Sequence, residues 1–235
     1  MQARRIMALA VAATASLGAA SPSLATNFEA KVSPRGAGSS ASPKAHTVTL
    51  DTSAIKADSA GNPTAGTKTL TYSLPAGFMS GFKKFATCPS AKVAADKTKP
   101  KCPAKSVLGT TVAKLYVTEL KASTTTDMGY LYKTGAKKFA MWGHISKPIE
   151  NGAVTQGVLK TSAKGVTATL DFTGAATAAT APVHVWLSSL HSVWKRAKTI
   201  SPFMTMACAG GSWAIGNTLT YLTGPPETLT STVTC

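Results

Sequence analysis

The feature that most constrains the fold of this chain is a repeated alternation of apolar and polar residues over short runs. Such alternation places all the apolar side chains of a run on one face of a β-strand. Turn residues separate the runs, and no long helical period is present. The pattern predicts an all-β fold, and we expect a single Greek-key or immunoglobulin-like β-sandwich of about nine or ten strands. The runs lie at 48–50, 70–74, 113–117, 130–132, 139–145, 154–159, 166–172, 183–187, 213–222 and 229–233.

Two segments depart from this alternation. Residues 91–105 are polar and are interrupted by Pro100 and Pro103, which predicts a loop rather than a core strand. Residues 188–198 carry Leu190, Val193 and Trp194 at spacings of three and four, which favours a short capping helix.

The first residues have the pattern of an export signal. A basic Arg4-Arg5 pair precedes an apolar stretch over 6–17, and Ser23-Leu24-Ala25 forms a small-x-small cleavage site. We expect a signal peptide over 1–25, with cleavage after Ala25 or alternatively after Ala20, and Sec export rather than the twin-arginine route. The apolar stretch is too short for a membrane span. The mature protein is therefore expected to be secreted, and either extracellular or associated with the cell wall.

The predicted domain organisation follows from composition. Residues 26–45 contain Ser33-Pro34, Ser42-Pro43 and a Ser/Ala cluster with no apolar period, which indicates a flexible N-terminal arm or linker, or an arm that becomes ordered on contact. Residues 46–235 then form the β-sandwich domain. The sequence does not indicate an oligomeric state.

All the cysteines follow the expected cleavage site. An even number of cysteines in an exported chain indicates disulfides. We favour Cys88 with Cys102 and Cys208 with Cys235, since each pair closes one local excursion of the chain, although other pairings of the same residues exist. A zinc site is the competing interpretation, but no two cysteines stand two to four residues apart and none has a histidine beside it.

The cysteine-containing segments also resemble a known group of proteins. Residues 74–78 read LPAGF, and after Cys88 residues 102–110 read CPAKSVLGT. This is similar to the LPxGx…C…CPxxSxxGT segment of secreted actinobacterial β-sandwich proteins of uncharacterised function. Residues 201–203, Cys208 and the Thr-rich end at Cys235 resemble their Cys-terminated final hairpin. The resemblance covers about 70–235 and implies an exported envelope or extracellular module, but no particular activity.

Patterns of catalytic residues were sought in the sequence. Ser212 follows Gly210-Gly211 without forming a Gly-x-Ser-x-Gly elbow, and the carboxylates are scattered and mostly adjoin turns. No catalytic residue, metal ligand or cofactor is predicted, and no phosphate or calcium loop is present. We therefore expect a noncatalytic interaction module, with a secreted hydrolase of envelope or extracellular polysaccharide as the alternative. The histidines considered as catalytic candidates are His46, His144, His184 and His191.

The distribution of cations is the only feature of the sequence that suggests a class of partner. Lys+Arg number 25 against 9 Asp+Glu, for a formal net charge of +16, and two segments near cysteines are especially basic. If the disulfides bring these segments to one end of the fold, a basic rim forms that suits acidic cell-wall polymers or glycans. The alternative is an ordinary solvated lysine surface. The candidate polyanion-binding residues are Lys92, Lys97, Lys99, Lys101, Lys105, Lys195, Arg196 and Lys198.

Two other binding chemistries were weighed. Lysine predominates over arginine and aromatic stacking platforms are not interleaved with the cations, so specific recognition of nucleic acid is disfavoured. Trp142, Trp186 and Trp194 occupy positions that alternation can turn outward, where indoles stack on sugar rings. The alternative for these residues is a place in the core of the fold.

Overall fold

The computed structural model describes residues 24–36, 44–93, 98–147, 150–173, 184–195 and 211–235, and the backbone of 203–205. These residues form an all-β fold, as predicted, with single 3-10 turns at Phe82–Lys84, Ser90–Lys92 and Ala104–Ser106. The strands are β1 (Asn27–Ser33), β2 (Lys44–Ser53), β3 (Thr67–Pro75), β4 (Val107–Val117), β5 (Ala122–Thr125), β6 (Met128–Lys133), β7 (Lys138–Ile145), β8 (Asn151–Ser162), β9 (Gly165–Asp171), β10 (Val185–Trp194), β11 (Phe203–Thr205), β12 (Ser212–Tyr221) and β13 (Glu227–Thr234).

The strands form one antiparallel sheet that nearly closes on itself. The order is β1-β2-β10-β4-β6-β7-β8-β9-β3-β12-β13, with β5 paired to β4 and β11 to β2. The two outermost strands approach each other, since the backbone N–H of Ala30 in β1 donates to Ser231 Oγ of β13 at 3.0 Å. The sheet is therefore barrel-like, and it does not divide into the two sheets of the predicted Greek-key or immunoglobulin-like sandwich. Alternation specifies which face of a strand is buried, but both architectures bury the same face.

The main core fills the inside of this sheet. Leu50, Leu70, Leu190 and Ile215 come from strands far apart in the chain, and each is at most 1 % exposed. The apolar residues of the predicted runs lie within strands, except that Phe172 and Leu222 directly follow β9 and β12, and that Val183 lies outside the described residues. Most runs turn their apolar residues toward this core, whereas Tyr130 and Tyr132 face a second cluster on the outer side. Three strands were not predicted, namely β1, β5 and β11. Residues 27–33, assigned to an arm or linker, form β1 because Ala30 and Val32 are buried against the core.

The helix predicted over 188–198 is wrong where the structure describes it, because residues up to Trp194 belong to β10. The pairing of β10 with β4 shifts register between Leu187 and Ser189, which is typical of a β-bulge. The irregularity places Leu187 and Ser188 both in buried positions, and Leu190 and Trp194 then continue on the core side. As a result, the apolar residues of this segment are three and four positions apart, which is also the spacing along one face of a helix.

The long connection between β3 and β4 first contributes Phe78, Met79, Phe82 and Phe85 to the main core, and its later part lies over the outside of the sheet. We call residues 86–106 the disulfide strap. The predicted Cys88–Cys102 disulfide closes it, with a Cα–Cα distance of 5.4 Å, so the prediction of a disulfide-tied loop is confirmed. The backbone N–H of Cys88 donates to the carbonyl of Lys133 at the end of β6, at 2.8 Å. Beneath the strap lies a second apolar cluster of Cys88, Val93, Tyr132, Ala140 and Trp142.

Several predictions fall outside the described residues. They include the signal peptide up to residue 23, and Cys208, so the Cys208–Cys235 pairing stays a prediction. Within the described part of the chain no cysteine has a free thiol. A search of the same residues for a helix long and apolar enough to cross a membrane finds none.

Candidate anion-binding surface

The strand directions bring the basic segments of the sequence to one end of the sheet. Strands β4 and β7 begin at this end, and β6 and β10 finish there. The backbone N–H of Lys195, just after β10, donates to the carbonyl of Leu108 in β4 at 3.1 Å. The two ends of the strap are joined in the same way, because the carbonyl of Lys105 accepts from the N–H of Ala86 at 3.1 Å. The segments around Lys105 and Lys195 are therefore neighbours in space.

We call this region the basic end. Among the candidates predicted from sequence, Lys92, Lys99, Lys101, Lys105 and Lys195 lie here and are exposed. Lys97, Arg196 and Lys198 lie outside the described residues. The structure adds further exposed cations. Lys83 and Lys84 stand shortly before Cys88 in the chain and belong to the same basic segment. The others are scattered along the chain and only strand pairing brings them together, namely Arg35, Lys44, Lys137, Lys138, Lys160 and Lys164.

The acidic residues occupy the opposite end. Each one that the structure describes lies in a loop at that end, or in the part of a strand nearest to it. Asp96 belongs to the strap but is outside the described residues. The residues of this acidic end are Glu29, Asp51, Asp58, Glu119, Asp127, Glu150, Asp171 and Glu227. Some cations accompany them, namely Lys31, Lys56, Lys68, Lys114, Lys121 and Lys147.

The separation of charge is large compared with electrostatic screening. A ten-residue strand such as β2 is roughly 30 Å long. Charges at physiological ionic strength are screened over about 8 Å, so the acidic end does not neutralise the basic end. The described surface therefore has its strongest positive potential at the basic end, whereas cations and carboxylates largely balance at the other end.

Two lysines at the basic end are held by contacts with the protein. Lys99 Nζ lies 4.1 Å from the ring centroid of Tyr130, which gives a cation–π contact that holds the strap on β6. Lys133 is buried, and its ammonium donates to the carbonyls of Phe85 at 2.7 Å and Lys83 at 3.1 Å. Burial lowers the pKa of Lys133. Lys133 is therefore a structural residue rather than part of the exposed surface.

We expect Lys133→Met to lower the free energy of unfolding by about 2 kcal/mol, because the carbonyls of Lys83 and Phe85 lose their donor inside the protein. Chemical denaturation measures this loss. Lys137→Met, at an exposed position in the following turn, is the control and should change stability by no more than about 0.5 kcal/mol. Equal losses for both variants would contradict the structural role of Lys133.

Two open grooves adjoin the basic end, beside the hairpin that joins β8 to β9. One has a volume of about 540 Å³ and the other about 290 Å³, and both are lined by Ser73, Leu74 and Lys164. Lys160 and the hydroxyl-bearing Thr161 and Ser162 line the smaller one. Ammonium and hydroxyl groups both bind carboxylate or phosphate oxygens, so the grooves continue the chemistry of the surrounding surface.

The tryptophans considered for sugar stacking are mostly inside the protein. Trp142, Trp194 and Trp213 are 0 %, 1 % and 3 % exposed. Trp142 does point to the outer face of the sheet, but the disulfide strap covers it. Trp186 alone among the four is partly exposed. The indole rings of the other three are therefore not available as a stacking surface.

Three of the histidines pair separately with carboxylates. Nδ1 of His184 lies 2.6 Å from Glu119, Nδ1 of His144 lies 3.0 Å from Asp127, and His191 pairs with Asp51 across β2 and β10. The hydrogen bond with His184 lowers the pKa of Glu119 to about 2.

The His144 pair is the one that most resembles a catalytic group. Ser146 Oγ donates to the same carboxylate, Asp127, at 3.1 Å, while His144 Nε2 faces Glu150 at 3.7 Å. In a Ser-His-Asp triad, by contrast, the serine hydroxyl contacts the histidine nitrogen that does not face the aspartate. The remaining histidine, His46, is fully buried, with Nδ1 2.8 Å from the carbonyl of Pro34, and burial lowers its pKa. No group of three or more potential metal ligands occurs among the residues that the structure describes.

Comparisons of the chain with models of known protein families, with curated proteins and with solved structures find no match.

Proposed function

We propose that this chain is a noncatalytic, exported envelope or extracellular interaction module that contacts anionic cell-wall polymers or acidic glycans through its basic end. The observation that carries this proposal is the segregation of charge. Exposed cations crowd one end of the sheet, and every described Asp and Glu side chain lies toward the other. Solubility alone does not require the lysines to be concentrated at one end of the fold.

Export is supported by the sequence and by the disulfide. The residues up to Ala25 have the pattern of a signal peptide. The Cys88–Cys102 disulfide suits an oxidising compartment outside the cytoplasm. The resemblance to secreted actinobacterial proteins points the same way. We therefore propose that the mature protein lies outside the membrane, free or bound to the cell wall.

The kind of contact follows from the side chains available. Most cations of the basic end are lysines, which act as flexible point charges rather than as the paired donors that arginine offers. Such a surface favours a flexible chain of carboxylate or phosphate groups over one fixed ligand geometry. Specific recognition of nucleic acid is not part of this proposal, since bidentate readout of bases relies on arginine rather than lysine.

We expect the variant Lys92→Gln/Lys101→Gln/Lys105→Gln to bind an acidic polysaccharide roughly tenfold more weakly than the parent, because exposed ion pairs contribute at most about 1 kcal/mol each. Alginate, a carboxylated polysaccharide, is the probe, and affinity is measured at low salt by biolayer interferometry. Parent binding should be largely lost by about 0.5 M salt, since exposed charges are then strongly screened.

The control removes the same charge from the other end. Lys114→Gln/Lys121→Gln/Lys147→Gln has the same net charge as the first variant and should retain near-parental affinity. Equal weakening of both variants would mean that net charge alone drives binding, and the proposed site would be rejected. A parent protein that fails to bind alginate and isolated envelope fractions at low salt would refute the proposed function. The secreted-hydrolase alternative stays a hypothesis, and release of reducing sugar from the same polymers would support it.

A further inference from the structure

The two outermost strands of the sheet meet along a seam that side chains close. Strands β1 and β13 stand at opposite ends of the strand order, and no backbone ladder joins these two described strands. Within the seam, the N–H of Ala30 donates to the hydroxyl of Ser231 at 3.0 Å. Phe28 of β1 stacks on Tyr72, with ring centroids 6.0 Å apart, so β1 covers part of the main core. Contacts across the seam therefore help to keep the core closed.

Glu227, the first residue of β13, collects the contacts at one end of the seam. Its oxygen Oε2 accepts hydrogen bonds from the hydroxyls of Thr26 at 2.6 Å and Tyr221 at 2.8 Å. Its oxygen Oε1 lies 3.4 Å from the ammonium of Lys56. Thr26 directly precedes β1, Tyr221 ends β12, and Lys56 belongs to the loop after β2. One carboxylate thus connects β13 with the start of β1 and with two neighbouring segments.

The hydroxyl of Thr26 fixes the position of this residue. It donates to Glu227 and accepts from the backbone N–H of Lys56 at 3.1 Å, and Thr26 is only 9 % exposed. Three bonds separate the nitrogen and the hydroxyl oxygen of a threonine, so the nitrogen of Thr26 lies within roughly 6 Å of the Glu227 carboxylate. The chain nitrogen that precedes β1 is therefore close to a negative charge.

This nitrogen belongs to the peptide bond at which the sequence predicts removal of the signal peptide. Ala25, on the other side of the bond, is exposed. Hydrolysis by a signal peptidase consumes one water and breaks the C–N bond between Ala25 and Thr26. It leaves a carboxylate on Ala25 of the released peptide and an α-ammonium on Thr26. Processing thus converts a neutral amide beside Glu227 into a cation.

The electrostatics of Glu227 suit such a cation. Partial burial opposes ionisation, but hydrogen bonds from Thr26 and Tyr221 and the charge of Lys56 outweigh it and lower the pKa of Glu227. The carboxylate is therefore ionised at neutral pH. Its side chain is 30 % exposed, so solvent screens an ion pair there less than a pair on the open surface. Lys56 pairs with Oε1, while Oε2 faces Thr26.

We propose that Glu227 receives the α-ammonium of Thr26 once the chain is cleaved after Ala25, and that this ion pair holds β1 against β13 and completes the closure of the sheet. The inference rests on the export proposed above, because it requires removal of the signal peptide. In the unprocessed chain the same nitrogen is uncharged and the pair is absent. Processing and closure of the seam are thereby coupled.

The experiment compares two purified proteins that comprise residues 26–235 and residues 25–235. They have the same formal charge and differ by one exposed alanine, which moves the α-ammonium away from Glu227. Both lack the N–H of Leu24, which donates to the carbonyl of Ala57 at 2.9 Å in the unprocessed chain. We expect the folding equilibrium constant of 26–235, measured by urea denaturation at neutral pH, to be about threefold higher. Equal stability of the two proteins would overturn the proposal.

Two variants identify the carboxylate. Glu227→Gln keeps a hydrogen-bond acceptor for the hydroxyls of Thr26 and Tyr221 but has no charge, so the advantage of 26–235 over 25–235 should disappear. Lys56→Gln removes the neighbouring cation, and the advantage should persist or increase. An advantage that survives Glu227→Gln, or that Lys56→Gln abolishes, would contradict the pairing.

A pH series on the parent pair needs no variant. An ammonium held by a carboxylate has a raised pKa in the folded state, so the advantage should be complete below about pH 8, the ordinary pKa of an α-amino group. It should be lost as the pH rises through the raised value. Lys56 and Tyr221 are the other titratable groups in contact with Glu227, and both proteins contain them. An advantage that persists unchanged above about pH 10 would contradict the proposal.

The first residue of the exported protein tests the cleavage itself. Mass spectrometry of the intact secreted chain should give a protein that begins at Thr26, and any other start overturns the inference. A chain that is never exported would refute the proposed export as well. Alginate binding is measured on the basic end, away from Glu227, and so decides the polyanion contact independently of the seam.

Discussion

Replacing Trp142 by Ala is expected to lower the free energy of unfolding by about 3–5 kcal/mol, the usual cost of removing a buried large aromatic side chain. Trp142 is 0 % exposed and lies in the cluster that joins the disulfide strap to the sheet. Its ring stacks against Tyr130 on one neighbouring strand, with centroids 6.3 Å apart. Urea denaturation of the oxidised protein measures the loss. The melting temperature should fall by roughly 2–4 °C for each kcal/mol.

The matched control for this prediction is Trp186→Ala. Trp186 is partly exposed and lies outside the cluster, so its replacement should cost clearly less. Trp142→Phe should recover part of the loss because a ring again fills the space under the strap. If Trp142→Ala were no more destabilising than Trp186→Ala, the second apolar cluster would contribute little to stability, and the strap would be held on the sheet mainly by polar contacts such as the hydrogen bond from Cys88 to Lys133.

Removal of the Cys88–Cys102 disulfide is expected to cost about 3 kcal/mol, the value for a closed loop of this length. The variant Cys88→Ala/Cys102→Ala avoids placing a hydroxyl at the fully buried Cys88 position. Denaturation curves measure the global loss. Limited trypsin digestion should also become faster at the exposed Lys92, Lys99 and Lys101, because the strap opens more often.

A double-mutant cycle tests whether the disulfide and Trp142 act together. Cys88 and Trp142 belong to one cluster, so their contributions should not add, and we expect a coupling of about 1 kcal/mol. Strict additivity would show that the two residues stabilise the strap independently. Unchanged stability of the Cys88→Ala/Cys102→Ala variant would refute the structural importance of the disulfide altogether.

The strands were predictable because their signal is local. In β3, Leu70, Tyr72 and Leu74 alternate with hydroxyl-bearing residues, and the structure buries all three. The β1 strand was missed because Ala30 and Val32 are only two inward residues in a segment otherwise rich in turn formers. The β10 strand was mistaken in part for a helix because a register shift changes the spacing of its buried residues. Prediction from local sequence patterns fails where pairing with a neighbouring strand determines the conformation.

The basic end likewise combines cations that the sequence identified with cations that only the fold brings together. Lys92, Lys99, Lys101 and Lys105 are close together in the chain, and their charge density is visible in the sequence. Lys137, Lys160 and Lys164 are not, because they belong to two separate hairpins that meet the strap only through strand order. The burial of Trp142 was equally hidden, since alternation places it on the outer face and only the strap above it excludes water.

The sequence by itself determined that the chain is basic and rich in short β-strands, and it favoured a disulfide across the lysine-rich loop, because each of these properties depends on composition or on residues near each other in the chain. Only the tertiary structure decided that the strands form one nearly closed sheet, that charge is separated between its ends, and that a second apolar cluster lies under the strap. These features depend on register and strand order, which bring together residues from distant parts of the chain.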